Sequence, residues 1–258
     1  MTTKVTVVLN GYKRSHAAKE QYEAYRNQSI GTPDFLFWGN TPESIGENDP
    51  LPFDKYTVDG CVSAICNKNL GVWARFAYAL NASTPFICIA DDDTIPGRKW
   101  LENCLDVIHT LAKPAVLTCR GVRLNNNQYP LPDSYEAIGW CSENEKLEQV
   151  DFGGHCWFFP KTVLKAFWLK SPDVLPLNFG EEIQISVAPK LLGDVETYVP
   201  PHPSSDKEFW GSIDALKYGE DMNAISRRPD ACQGMFDYLQ WALESGYVPV
   251  KMRGQSEN

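Results

Sequence analysis

The chain has 258 residues, 43% of them hydrophobic, and a formal net charge of -9. A chain this long can bury roughly 70–75% of its unfolded surface, so it folds without disulfide staples, as one large α/β domain or two fused halves. The acidic balance argues against a nucleic-acid binder or a basic membrane-surface patch.

The first half alternates strand and helix signals. Lys4 to Leu9 reads as a strand, followed by the loop Asn10-Gly11-Tyr12-Lys13-Arg14. Ser15 can cap a helix from His16 to about Arg26. Asp34 to Trp38 reads as a second strand, and Thr41 to Asp54 as a Pro/Gly/Asp-rich loop. Leu70 to Asn81 has helical periodicity, with Trp73, Phe76, Ala77 and Leu80 on one face. Pro85 to Ala90 is an apolar, partly β-branched run that reads as a buried strand. Arg98 to Ala112 is an amphipathic helix, with Leu101, Cys104, Leu105, Ile108 and Leu111 facing inward; Ala115 to Cys119 is a strand. Strands separated by helices predict a mixed, mostly parallel, Rossmann-like α/β sheet.

The second half is less regular. Asn125 to Glu148 is turn-rich, with a short extended piece near Ile138-Gly139-Trp140. Gln149 to Phe159 reads as a strand interrupted at its glycines, Lys161 to Trp168 as a helix, and Glu181 to Leu192 as a helix broken near Pro189. Glu196 to Val199 is a short strand entering Pro200-Pro201-His202-Pro203, and the last helix runs from about Ala231 to Ser245, stopping at Gly246. Eight cysteines occur without a CxxC pair, so a zinc ribbon or redox pair is not expected; Cys88, Cys104 and Cys119 sit in apolar patterns as small buried hydrophobes. Without a signal peptide or an apolar stretch long enough to span a bilayer, the expectation is a cytoplasmic protein, or a catalytic piece of a longer one, and the sequons at Asn27 and Asn81 read as chance.

The most informative junction is Asp91-Asp92-Asp93, directly after the apolar run. Ligands of open α/β sheets bind beyond the carboxyl ends of strands. Three adjacent carboxylates there repel one another, and desolvating them is costly unless a cation compensates. In extended geometry Asp91 and Asp93 point to one side, forming a hard oxygen site for Mg²⁺ or Mn²⁺ with positions left for phosphate oxygens. Arg75 lies in an otherwise apolar helix, so on a buried side it needs an anionic partner: the aspartates or a diphosphate.

The order of a first strand, a loop with Asn10, Tyr12 and Arg14, a helix carrying Arg75, and strand-Asp91-Asp92-Asp93 resembles the GT-A glycosyltransferases. The exostosin-like branch is the nearest pattern: its GAxFF-like strand reads here Gly153-Gly154-His155-Cys156-Trp157-Phe158-Phe159, and its acidic pair before a helix reads Glu181-Glu182. The chain also resembles family-2-like transferases of bacteria and large viruses. The likeness covers most of the chain and implies a GT-A domain over 1–258, with a nucleotide-binding half over 1–122 and an acceptor-binding half over 123–258. By resemblance, Asn10, Tyr12 and Arg14 hold the nucleotide's base and ribose, and Arg14 could reach the diphosphate. Asn67, Asn69 and Arg75 match the family's asparagine-then-arginine segment. Asp91 or Asp92 would contact ribose or uracil, Asp91 and Asp93 the metal, and His202, in its stiff proline frame, is the family's C-terminal histidine ligand. One of Glu181 and Glu182 would be the carboxylate nearest the reacting sugar; the family usually has aspartate there, and glutamate adds one methylene of reach. Trp140 and Trp210, in polar loops, are candidates to stack on an acceptor sugar, and His155 either faces the donor sugar or packs.

The resemblance thus implies a Mn²⁺- or Mg²⁺-dependent transfer from a nucleotide sugar, a UDP-sugar by expectation, to a carbohydrate or glycan hydroxyl, with either inversion or retention. Three alternatives remain open: a haloacid-dehalogenase-type phosphatase, whose DxDx[TV] signature meets Ile95 at its last position; a sugar nucleotidyltransferase, which would want a glycine-rich basic first loop; and a non-catalytic glycan-binding module.

Overall fold

The structure, a computed structural model, describes residues 5–12, 17–41, 61–173, 175–219 and 225–253. Its elements run β1 (Val5–Gly11), α1 (Ala18–Arg26), β2 (Asp34–Asn40), β3 (Cys61–Cys66), α2 (Ala74–Tyr78), β4 (Phe86–Ala90), α3 (Trp100–Thr110) and β5 (Ala115–Leu124). There follow β6 (Tyr135–Gly139), β7 (Glu148–Val150), β8 (Phe152–Pro160), α4 (Val163–Leu169), α5 (Glu181–Gly193), β9 (Glu196–Val199), α6 (Ala215–Gly219) and α7 (Ala231–Glu244).

Among the described residues the strands form one sheet, in the order β3-β2-β1-β4-β8-β5-β9-β7, with β6 on β5. The pairings make β3, β2, β1, β4, β5 and β9 run one way, and β6, β7 and β8 the other. The expected mixed, mostly parallel α/β sheet is therefore observed. Strand β8 comes from the second half of the chain but inserts between β4 and β5. The acidic loop after β4 thus gains a neighbour that the first half could not supply.

The central strands of the sheet are buried on both faces. Along β1, Val8 faces one core and Val5, Val7 and Leu9 the other; along β4, Ile87 and Ile89 alternate with Cys88 and Ala90. This two-sided burial explains why both strands read as continuous apolar runs. One core packs against α2, α4, α5 and α7, the other against α1 and α3. Cys88, Cys104 and Cys119 are buried as expected, and Cys156 joins them.

Several expected boundaries move. The helix expected over 70–81 begins at Ala74 and ends in a 3-10 turn over Ala79–Asn81. Before it, the Asn69 side chain takes the Gly71 N–H at 2.9 Å, a local turn that competes with helix. The half-exposed edge strand β3 had no sequence signal strong enough to mark it. The expected strand over 149–159 divides at Asp151, not at the glycines. There the Asp151 carboxylate accepts from Leu124 N, Val250 N and Tyr247 Oη at 2.7, 2.7 and 2.9 Å. Pro189 does not break α5, which runs on to Gly193 and closes at Asp194 in the left-handed region. Among the described residues no helix is long and apolar enough to cross a membrane.

Gly180 precedes α5 at φ +77, and a Cβ there would lie 2.1 Å from Tyr238 Cγ, inside the buried ring. Gly180→Ala combines left-handed strain with overpacking and is expected to cost about 2 to 4 kcal/mol. Urea denaturation of the variant beside the parent measures this.

Candidate active site

The parallel strands end at one rim of the sheet, and a cleft of about 990 Å³ opens there. β1 brings Asn10 and Tyr12, β2 brings Trp38 and Asn40, and the loop after β4 brings Asp91, Asp92 and Asp93. From the second half come Trp140, His155, Glu181 and Glu182.

Arg75 occupies the centre of this wall and is 6% exposed. Its Nη1 lies 2.5 Å from Asp91 Oδ1, and its Nη2 donates to Glu181 Oε1 at 2.9 Å. The guanidinium also lies over the Trp157 ring at 5.1 Å. Burial works against its charge, but Asp91 and Glu181 outweigh that and raise its pKa. Burial is also the main influence on Glu181, followed by the opposing pull of Arg75 and the like charges of Glu182 and Asp91; together they push its carboxyl up to about 8.

Asp91, Asp93 and His155 each offer one ligand atom, all within 4.8 Å of one another. His155 Nδ1 is 3.6 Å from Asp93 Oδ1 and 3.9 Å from Asp91 Oδ2. That atom is buried and has no hydrogen-bond partner. Two hard carboxylate oxygens and an imidazole nitrogen, too far apart to bond one another directly, suit a Mn²⁺-type divalent ion.

His155 reaches this position through a bulge. β5 pairs Thr118 with Trp157 but Arg120 with Gly154, so β8 carries one extra residue between the two pairings. His155 adopts φ +66 there. The face of β8 slips accordingly: Phe152 and Trp157 share a core although they lie five positions apart, an odd offset that regular alternation would place on opposite faces. A bulge of this kind re-aims one side chain out of the strand's alternation. The His155 carbonyl accepts from Asp91 N at 2.8 Å and from Thr94 Oγ1 at 3.1 Å, tying the bulge to the acidic loop.

Glu182, beside Glu181 at the start of α5, is also raised in pKa. Burial is the main cause, opposed first by Arg120 and then by His155. Arg120 in turn faces Tyr129 and Tyr135, which line the same end of the cleft.

The structure brings together Asn10, Tyr12, Asn69, Arg75, Asp91, Asp92, Asp93, Glu181 and Glu182. Asn10 is partly committed, since its Nδ2 donates to Ala90 O at 2.5 Å. Arg14 lies outside the described residues. Asn67 is exposed and does not line the cleft. His202 corrects the expected ligand set. It is fully buried, with Nδ1 3.0 Å from Asn144 Oδ1 and Nε2 accepting from Gly211 N at 3.1 Å, so both ring nitrogens are engaged in the fold. The histidine beside the aspartates is His155. Trp210 is likewise buried, packing on His202, and does not line the cleft. Arg120, Tyr129, Tyr135, Trp38 and Asn40 were not singled out from the sequence. Arg120 did carry a signal: like Arg75, it is a cation beside an apolar run (Ala115-Val116-Leu117-Thr118-Cys119).

No protein-family model matches the chain, and no curated protein matches it either. Solved structures do. S. aureus TarS matches at 13% identity and TM-score 0.50, over 77% of this chain and 37% of that one. TarS 1-349 in complex with UDP matches at 14% identity and TM-score 0.52, over 78% and 59%. TarS 1-349 in another structure matches at 12% identity and TM-score 0.50, over 94% and 88%. The chain thus spans 37% and 59% of the first two, less than two thirds of either. The chain shares the fold of these neighbours, a mixed, mostly parallel, Rossmann-like α/β sheet.

Two outcomes are expected. Arg75→Gln leaves the buried Glu181 and the half-buried Asp91 without their cation and should destabilise the fold by about 2 to 4 kcal/mol, read by denaturant titration. Burial lowers the His202 pKa from 6.5 to about 4. Between those values the unfolded chain binds the extra proton, so this stability is complete above pH 6.5 and is lost as pH falls towards 4. The melting temperature of the parent should therefore fall more steeply over that window than that of His202→Gln.

Proposed function

We propose that the chain is a metal-dependent glycosyltransferase that moves a sugar from a nucleotide-sugar donor, a UDP-sugar, to a carbohydrate hydroxyl. The observation that carries this reading is the convergence of Asp91, Asp93 and His155 at the sheet rim, inside a cleft that also holds Arg75 and the acidic pair. The fold shared with TarS, which has been solved with UDP, supports the choice of nucleotide.

In this reading Asp91, Asp93 and His155 hold a Mn²⁺ or Mg²⁺ ion. When bound, that ion supplies charge stabilisation to a departing diphosphate. Tyr12 and Trp38 offer ring surface to the base, and Asn10, Asn40 and Asn69 line the same end with polar groups. Asp92, also on this wall, is available to the ribose. Arg75 fixes Asp91 in place and brings positive charge towards the phosphates. Residues 1–122 then form the nucleotide-binding half and 123–258 the acceptor-binding half, where Tyr129, Tyr135 and Trp140 give apolar faces for a sugar.

The two glutamates divide the work. Glu181 is bound to Arg75 and acts as a clamp. Glu182 lies between Arg120 and His155, and burial raises its carboxyl towards the working pH of a general base. It takes the proton of the acceptor hydroxyl as that oxygen attacks, with inversion at the sugar carbon.

Thermal-shift screening against UDP, GDP, CDP and ADP, with and without Mn²⁺, tests the reading. UDP with Mn²⁺ should give the largest stabilisation, because the shift grows with ligand concentration over dissociation constant. Asp93→Asn should lose that Mn²⁺-dependent shift and at least about 100-fold in turnover. Full activity in this variant, or no shift with any nucleotide, would sink the proposal.

A further inference from the structure

We infer that Trp140 is the positioning residue of the metal site, a flat plate against which His155 is held so that Nδ1 faces Asp91 and Asp93. This inference rests on the metal reading above and adds to it the residue that makes His155 a ligand.

Four observations carry it. The Trp140 and His155 rings stack with centroids 4.5 Å apart and planes within 10°. An imidazole lying flat on an indole keeps its plane, and here the Nδ1 edge faces the two carboxylates. Both residues sit in the left-handed region, Trp140 at φ +61 and His155 at φ +66, conformations that bulky L-residues rarely adopt. They are two of the four such non-glycine residues among those described, and they touch. Two independent backbone departures therefore meet in one ring pair, which points to a functional constraint.

The backbone beneath Trp140 is locked as well. Its N–H donates to Cys119 O at 2.7 Å, at the β5 residue opposite the β8 bulge. Gly139 before it adopts φ +75, and a Cβ there would lie 2.6 Å from that same carbonyl. The indole Nε1 is buried without a hydrogen-bond partner, so no polar side-chain bond among the described residues fixes the ring. Stacking holds the pair, with the Arg120 guanidinium 6.0 Å from the indole ring. Groups that orient a metal-binding histidine usually do so through its second nitrogen, and their loss typically costs 10- to 100-fold in metal affinity. Here a ring face takes that part.

The test measures free Mn²⁺ by electron paramagnetic resonance during titration of the full chain, with and without excess UDP, reading the tighter condition. Trp140→Ala should weaken Mn²⁺ binding by about tenfold or more. Trp140→Phe, which keeps a ring face, should stay within about threefold of the parent. His155→Ala should weaken binding at least as much, and adding Trp140→Ala to it should change nothing further. If Trp140→Ala does not fold, Trp140→Leu, which fills the volume without a ring, is held to the same threshold. Parent-like Mn²⁺ affinity in Trp140→Ala or Trp140→Leu overturns the inference. So does parent-like affinity in His155→Ala while Asp93→Asn still weakens binding, and in that case the proposed function survives. If Asp93→Asn also binds like the parent, or the parent binds no Mn²⁺ in either condition, the metal reading itself fails.

Discussion

Arg75 sits where α2, the loop after β4 and the start of α5 meet, and its guanidinium is shared between Asp91 and Glu181. An unpaired charge at such a depth costs several kcal/mol after relaxation, and so does the buried Glu181 left alone, the half-buried Asp91 less. The three segments therefore dock together or not at all. Residues 75 and 181 are far apart in sequence, so this contact also joins the two halves of the chain. The bridge is poor evidence for stability in itself, since well-packed apolar residues often serve as well in such places. Its value lies in where it puts Asp91: one oxygen is held by Arg75, and the other is turned towards His155.

The rest of the wall is set by backbone departures. His155 leaves the alternation of β8 through the bulge, Trp140 ends β6 in the left-handed region, and Gly180 turns the chain into α5. A regular strand would bury His155 in a core or turn it away from the rim. One inserted residue instead moves the imidazole into the cleft, while Cys156, Trp157, Phe158 and Phe159 keep their places in the two cores. Packing thus confines the irregularity to one position, where it serves the site.

The sequence carried the part of the site whose physics is local. An apolar run ending in three aspartates, and an arginine inside an apolar helix, announce buried charge wherever they occur, and both lie on the cleft wall. The acidic pair at the start of α5 was legible for the same reason. Choosing between histidines was not. His202 stood out because prolines flank it, yet that frame buries the ring, where Asn144 and Gly211 take both nitrogens. His155 stood beside two glycines, and nothing local distinguishes a bulge from an interrupted strand. The difference is made by β5, more than thirty residues away, whose register decides where the extra residue falls. β3 was invisible because an edge strand with one half-exposed face lacks the strong alternation of a two-sided core.

Charge balance gives the cleft its direction. Asp91, Asp92, Asp93, Glu181 and Glu182 line the cleft with Arg75, Arg120, Arg227 and Arg228, so five carboxylates meet four guanidiniums and, fully ionised, leave an excess of one negative charge, with three of the carboxylates adjacent at the rim. At 4 Å separation each unrelieved pair of like charges costs on the order of 4 kcal/mol at an effective dielectric of 20. Burial and the neighbouring carboxylates push the Glu181 carboxyl up to about 8, against the pull of Arg75, so its proton is held more tightly than an ordinary carboxylate's. A divalent ion would offset the local repulsion among the three adjacent aspartates. A nucleoside diphosphate approaching the bare aspartate rim would meet three carboxylates, whereas one approaching after the cation would meet a neutralised rim with arginines beside it. Binding of the two would then be mutually favourable, and by linkage each would strengthen the other by the same factor. On the proposed reading, a product diphosphate would be held hardest while the ion stays and repelled once it leaves, so one acidic rim would serve both capture and release.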